Sequence, residues 1–347
     1  TRLKSKPKIS NILTENETLI TKDKEKATLF NKFFASVFSN DNCCTENIVA
    51  TKVQKVPSIS FTCDSVEHPF KNLKPTFSVG PDGLCTYFLK KLYRVLSIPL
   101  STIFEVSYRT SSLPSLWKEA IVVPIFKKKN PFLVENYRPI SLCCVSCKIM
   151  ETIINQTIVE HLNLHKLLSE KQFGFSRGKS CATQLLYCRD KWSRFLDTKK
   201  LIDVVYIDFQ KASDSVVHSK LITKFKLFGI DGFLIKWLTE FLNKRSQKVK
   251  IGFSFSDSIS VKSGVPQGSV LGPTLFNMYI NDIVSCVESS EILLFADDVK
   301  LFNTDARQLE KDLVNIYEWS EKWQLPISSE KCNILHLGKK NPNKLYF

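Results

Sequence analysis

Few methionines, no membrane-length apolar run, no repeats and a single CxxC spacing mark this chain of 347 residues, and each shortage removes a class of explanation. No apolar stretch approaches the roughly 20 residues of a helical membrane span, so no membrane partner is expected. Repeats and low-complexity tracts are missing, which argues against a solenoid or array. Eleven cysteines would suit a secreted disulfide scaffold, but the chain is long, rich in core residues and without a signal peptide. Most of them, such as Cys143, Cys181, Cys188 and Cys286, stand among apolar residues, where a thiol behaves as a small hydrophobe. Cys144-Val145-Ser146-Cys147 has metal-ligand spacing, yet no second such pair or nearby histidine pair completes a zinc site. Reduced thiols in the nucleus and cytoplasm are expected. With two methionines and Thr at position 1, the chain reads as a fragment of a longer polyprotein.

What is present points elsewhere. A hydrophobic fraction of 43% can bury a core in one or two domains. Lys and Arg exceed Asp and Glu by 49 − 34 = 15, and the pI is about 9.2. Such a surplus suits a polyanionic partner, nucleic acid first, with a generically soluble basic surface as the plainer alternative.

The stretch with most chemistry is Leu293-Leu294-Phe295-Ala296-Asp297-Asp298-Val299, two carboxylates between apolar runs that read as strands. A hairpin turn there would favour Asn-Gly or Asp-Gly, and this one has no glycine, so backbone geometry alone does not explain the pair. A solvated surface turn remains open on this stretch alone. Upstream, Val204-Val205-Tyr206-Ile207-Asp208-Phe209 is a β-branched run delivering one more aspartate to its tip. Phosphoryl transfer needs positioning and charge cancellation more than covalent help. Two Mg²⁺ ions about 3.5–4 Å apart supply both, and Mg²⁺ takes carboxylate oxygens. Asp208, Asp297 and Asp298 form such a set if their strands pair.

Along the chain, Thr1 to about Lys26 is a polar, lysine-rich lead-in, followed by a docking helix over Lys26–Phe38. Residues Cys43 to Val66 read as loop, and Leu73 to Gly83 as a strongly punctuated turn. Helical patterns cover Tyr87–Val106, Lys148–Leu162, Cys181–Leu196, His218–Phe228, Gly232–Leu242, Leu271–Ile283 and Leu309–Trp323. Strand patterns cover Trp117–Lys129, which runs into three lysines, then Gln247–Phe253 paired with Ser258–Val261, and Lys331–Gly338. A charge run is usually a solvated face. Lys127, Lys128 and Lys129 leave a buried strand just before Arg138, which suits a triphosphate or a template backbone. The glycine-bounded loop Ser263 to Ser269 opens a helix, where free N–H groups and missing side chains admit a close approach. An ordinary helix cap is the alternative reading.

Taken in order, the stretches LKPTFSVGPDGL, IVVPIFKKKN with NYRPISL, QFGFSRGKSC, VVYIDFQKASDSV, SGVPQGSVLGPTLFNMYINDI, LLFADDVKLF and ISSEKCNILHLG resemble the reverse transcriptase of LINE-type (non-LTR) retrotransposons, most like the jockey and related clades. The resemblance runs from about residue 70 to the end. It implies an α+β fold, a right-hand polymerase with fingers and an antiparallel palm sheet backed by helices, the thumb largely missing. The implied domains are a lead-in with docking helix at 1–69 and the reverse transcriptase domain at 70–347, its core about 107–347. The implied activity is an RNA-directed DNA polymerase, a nucleotidyltransferase. Its partners would be an RNA template, a DNA primer or target and dNTPs, with two Mg²⁺ ions, or Mn²⁺ as substitute. The full-length protein would join it to an endonuclease and a thumb, and an RNase H is absent from this stretch.

By the same resemblance, Asp208 and Asp297 bind both metals, Asp298 completes the catalytic triad, and the Phe209 carbonyl adds a ligand. Lys127 and Arg138 match residues that grip the triphosphate. Gln267 and Gly268 match the loop on the template and nascent pair, Lys128, Lys129 and Arg177 fall to template and primer, and Lys331 matches a general acid for the leaving pyrophosphate. Three positions depart from the family pattern. Ser213 replaces the aromatic ring under the incoming sugar, Val217 the Asp before His218, and Ser328 an Asn. The aspartates, the arginine and the glutamine loop are intact, so a competent active site is expected, with weak discrimination against ribonucleotides. Two other classes stay in view. An RNA-templated RNA polymerase would carry Gly where Ala296 stands, and a retroelement-derived RNA-binding protein would have lost an aspartate.

Overall fold

The computed structural model describes residues 9–14, 16–43 and 53–346. The first eight residues of the expected lead-in, and 44–52 of the stretch read as loop, lie outside the described residues. In chain order the strands are β1 (Ile12–Leu13), β2 (Leu19–Ile20), β3 (Glu119–Phe126), β4 (Tyr137–Leu142), β5 (Ile202–Ile207), β6 (Arg245–Ile251), β7 (Ser254–Phe255), β8 (Ile259–Val261), β9 (Glu291–Phe295), β10 (Asp298–Asn303) and β11 (Asn333–Leu337). The helices are α1 (Asp23–Ser36), α2 (Cys63–Lys71), α3 (Thr86–Lys91), α4 (Tyr93–Thr110), α5 (Val145–Leu164), α6 (Cys181–Asp197), α7 (Ala212–Ser215), α8 (His218–Phe225), α9 (Gly232–Leu242), α10 (Gly272–Ile280) and α11 (Ala306–Lys322). They fall into two compact units. Unit 1 is the described part of Thr1–Asn40 with Pro57–Thr157 and Asp231–Leu271, and unit 2 the described part of Asp41–Val56 with Ile158–Ile230 and Gly272–Phe347.

Unit 1 is built on a mixed sheet in the order β4-β3-β6-β7, with β8 also on β6. β3 pairs antiparallel with β4 and parallel with β6. Alternation along β3 buries Ala120, Val122 and Pro124 on one face. α1 covers that face because Ala27, Phe30 and Phe34 recur at helical spacing, and they pack with Val122, Tyr137, Val249 and Ile251. The polar intruder there, Asn31, is satisfied: its amide donates to Ser256 Oγ at 2.9 Å and accepts from Gln247 Nε2 at 3.0 Å.

β4 hid in the sequence because Pro139 interrupts it. Its partner across the ladder is Pro124. Lys127 N donates to Asn136 O, which fixes the alternation so that Pro124 and Pro139 meet at a position where neither N–H is needed. The single helix expected over Tyr87–Val106 is instead α3 and α4, broken at Leu92 (φ −105°, ψ 14°), and no residue type there announces the break. The end of the stretch read as loop, from Cys63 to Val66, is instead the first part of α2, whose Thr62 side chain accepts from Ser65 N–H as a cap.

Unit 2 carries an antiparallel sheet in the order β11-β5-β10-β9. β5 is central and buried on both faces, as its largely apolar run requires, and the one charge in it, Asp203, is met by His336, Asn341 and Tyr346. On one face α6 lays Cys188 against Ile202, Val204, Leu293 and Phe302. Elsewhere in this unit the Lys224 ammonium of α8 is almost wholly enclosed, 3.6 Å from the Trp323 ring centroid and 4.9 Å from those of Tyr279 and Trp319. It donates to Tyr279 O and Asp282 Oδ1, both at 2.5 Å. The described fold is therefore α+β with helices against sheets, as expected from the sequence.

Candidate active site

Three strand ends meet in unit 2. β10 runs antiparallel to β5 with Val299 opposite Ile207, so Asp298 immediately precedes and Asp208 immediately follows the last paired residues of the two strands. The turn between β9 and β10 is as short as the sequence suggested and falls one residue earlier. Asp298 already pairs with Phe295, so the loop is Ala296-Asp297 alone. Ala296 takes φ +54°, the position where a two-residue hairpin usually has glycine. A side chain there costs about 1–2 kcal/mol. Asp297 thus stands at the tip of a strained turn, partly exposed, and Asp298 is exposed at the start of β10.

Beyond Asp208 the chain is clamped by a neighbouring segment. Ser328 N donates to Asp208 O and Gln210 N to Pro326 O, each at 2.8 Å, with Phe209 bridged to Ile327. These bonds flank Phe209 and leave its own carbonyl out of that ladder. Ser328, one of the three departures, serves here through its backbone, and its side chain makes no capping bond. The same segment brings Lys331 Nζ to 3.6 Å from Asp208 Oδ1. Both side chains are about half exposed, so the pair is worth at most about 1 kcal/mol. Ser213 is half-buried in α7. Val217 is the N-cap of α8 and offers no side-chain acceptor. Arg177 is exposed in the segment before α6.

Unit 1 holds the cationic set. Lys127, Lys128 and Lys129 follow β3 and are exposed, and Lys129 sits at φ +71°. Arg138, exposed on β4, is paired with Ile125 on the sheet face opposite α1. The loop after β8 is tied to that strand: Ser141 N donates to Gln267 O at 2.8 Å. Gly268 lies at φ +113°, and a Cβ there would stand 2.6 Å from Ser141 O. Glycine is required at 268.

One residue that organises this loop left no mark in the sequence. Glu151, fully buried on α5, accepts the backbone N–H groups of Val270 (2.7 Å) and Leu271 (3.1 Å). Burial pushes its carboxyl up, against those two donors and the Arg245 and Lys148 cations, which pull the other way. A glutamate in an apolar helical pattern looks like a surface residue until its partners, 119 and 120 positions away, are known.

Among the described residues no three His, Cys, Asp or Glu side chains converge as a ready-made metal cage. Mg²⁺ does not need one. It keeps several waters and binds through one or two carboxylates plus substrate phosphates. Asp208 and Asp298, each next to the paired Ile207 and Val299, with Asp297 adjoining Asp298 in sequence, are oxygen donors only and fit that mode.

The family model described as reverse transcriptase (RNA-dependent DNA polymerase) matches residues 126–345. Among similar curated proteins, the probable RNA-directed DNA polymerase from transposon BS of Drosophila melanogaster is 30% identical over 77% of this chain and 31% of its own length. That from transposon X-element of the same fly is 30% identical over the same shares. The RNA-directed DNA polymerase from mobile element jockey, also of Drosophila melanogaster, is 28% identical over 80% of this chain and 32% of its own. The chain thus spans about a third of the length of these relatives.

Proposed function

Because the chain belongs to the reverse transcriptase (RNA-dependent DNA polymerase) family, we propose that its protein is the RNA-directed DNA polymerase of a non-LTR retrotransposon, extending a DNA 3′ end on an RNA template. The observation that carries this reading is the β5–β10 register, Val299 opposite Ile207, which brings the Asp208 end of one strand beside the two-residue turn that carries Asp297. In this reading unit 2 is the palm and unit 1 the fingers.

Asp208, Asp297 and Asp298, with the Phe209 carbonyl, would hold two Mg²⁺ ions. When bound, these supply charge neutralisation on the triphosphate and a more acidic primer 3′-hydroxyl. Lys127 and Arg138 bind and orient the triphosphate, Arg138 through its planar fork of donors. Gln267 and Gly268 pass close to the nascent base pair, and Glu151 keeps their loop in place. Lys331 Nζ holds a proton for the departing pyrophosphate. Lys128, Lys129 and Arg177 neutralise template and primer phosphates. An endonuclease and a thumb would lie in the remainder of the protein, which would act in the nucleus after synthesis in the cytoplasm.

Primer extension by the full-length protein, on RNA and DNA templates and with both nucleotide types, tests the proposal. DNA synthesis on RNA is the expected result. RNA synthesis on RNA would assign a different polymerase class, and template binding without extension would leave a binding protein.

A further inference from the structure

The QFGF stretch has a role that none of the assigned functions uses. Residues 171–174 run beside β9 as a parallel edge: Leu294 N donates to Lys171 O (2.9 Å) and Phe173 N to Leu294 O (2.8 Å). This lays the Gln172 side chain, 2% exposed, against the strained turn. Its Oε1 accepts Ala296 N–H at 2.9 Å and Gly174 N–H at 2.8 Å, while its Nε2 donates to Ala296 O at 3.3 Å. One amide therefore holds both peptide groups that flank the residue at φ +54°. The approach is close enough that a Cβ on Gly174 would stand 2.3 Å from Ala296 N. Gly174 O is itself fixed by Asn277 Nδ2 of α10 at 2.9 Å.

We propose that Gln172 is a positioning residue for catalysis: by bracing both peptides of Ala296 it holds the left-handed turn that fixes the Asp297 carboxylate. Strained backbone of this kind persists where the surroundings over-determine it, and such strain gathers at functional sites. Gln172 touches the turn through an ordinary amide, with no charge to perturb the carboxylates nearby. One acceptor for Ala296 N–H and one donor for Ala296 O answer the two backbone groups of the left-handed residue, and the same acceptor takes Gly174 N–H on its own segment. The inference rests on the reading of Asp297 as a catalytic carboxylate.

The test uses the full-length protein with Gln172→Ala, Gln172→Glu and Ala296→Gly, alone and combined. A carboxylate displaced by about an ångström costs on the order of 10²-fold. Gln172→Ala should therefore lower kcat roughly 10–100-fold while primer–template affinity stays within about twofold. Hydrogen exchange should quicken at residues 294–298 and not across the unit. Gln172→Glu, which loses the donor to Ala296 O and sets a carboxyl oxygen against it, should lose at least as much as Gln172→Ala. Glycine adopts positive φ without strain, so Ala296→Gly should recover part of the kcat lost in Gln172→Ala. An unchanged kcat, an equal loss with and without Ala296→Gly, or exchange that rises throughout unit 2 would each overturn the proposal. Asp297→Asn run alongside keeps the two readings apart. If that variant extends primers at the parental rate, the catalytic reading fails, while the local exchange result still reports whether Gln172 holds the turn.

Discussion

At the scale of single residues, the acidic positions were legible and their supports were not. Asp208, Asp297 and Asp298 stand at the ends of apolar runs, a pattern visible in a short window. Gln172, Glu151 and Lys224 act through partners more than fifty positions away, so nothing local marks them. Two residue-scale predictions follow from the chemistry. In the proposed reading Ser213 stands where the family carries a bulky ring, and pocket fit against an added hydroxyl amounts to about 10²-fold in comparable sites. Ser213→Phe should raise the preference for deoxyribonucleotides toward that figure, read as the ratio of kcat/KM for dNTP and rNTP. Equal ratios before and after the substitution would remove residue 213 as the sugar gate. Lys224 concerns stability. Burial pulls its ammonium down to about 8, with Asp282 opposing. The unfolded lysine, near 10.4, binds the proton over the window that the folded one has lost, so this group adds stability as pH rises from about 8 to 10. Buried thiols such as Cys143, Cys144 and Cys147 are pushed up and slope the other way. The contrast is therefore with Lys224→Met: the wild-type free energy of unfolding, relative to that variant, should gain on the order of 2 kcal/mol between pH 8 and 10. A constant difference in denaturant melts would contradict it.

At the scale of elements, period and punctuation located most strands and helices, and the errors have local causes. β4 was lost to Pro139, which a strand tolerates only where its missing N–H is not needed. The break at Leu92 carries neither glycine nor proline, and it became visible only in the fold. The aspartate turn was placed one residue late because positive φ falls on an alanine, which no turn rule would select. The loop from Ser263 to Ser269 was read as a functional approach, and the structure adds how it and the residues after it are fixed, between Ser141 on one strand and Glu151 on one helix. Gly268→Ala tests that fixation. The added Cβ would meet Ser141 O at 2.6 Å, in a backbone region that side chains avoid. Strain of about 1–3 kcal/mol should shift the loop and raise KM for the incoming nucleotide roughly tenfold, with circular dichroism unchanged. An unaltered KM would show that the loop carries no nucleotide contact.

At the scale of the whole molecule, the charge surplus of +15 was the first sign of a nucleic-acid partner and remains the most general one. Phosphate contacts release counterions, so primer–template affinity should fall steeply with salt. Lys128→Ala and Lys129→Ala should each reduce the slope of log affinity against log salt by about one, uniformly across sequences. A salt-independent affinity would assign the charge another purpose. The catalytic account itself is tested most directly by single-turnover extension on an RNA template, comparing the parental protein with Asp208→Asn and Asp297→Asn at matched template occupancy. Each substitution removes an oxygen donor without touching the basic surface. The account predicts a rate loss of at least about 10²–10³-fold for each, with template affinity nearly unchanged. Extension by either variant at the parental rate would contradict it.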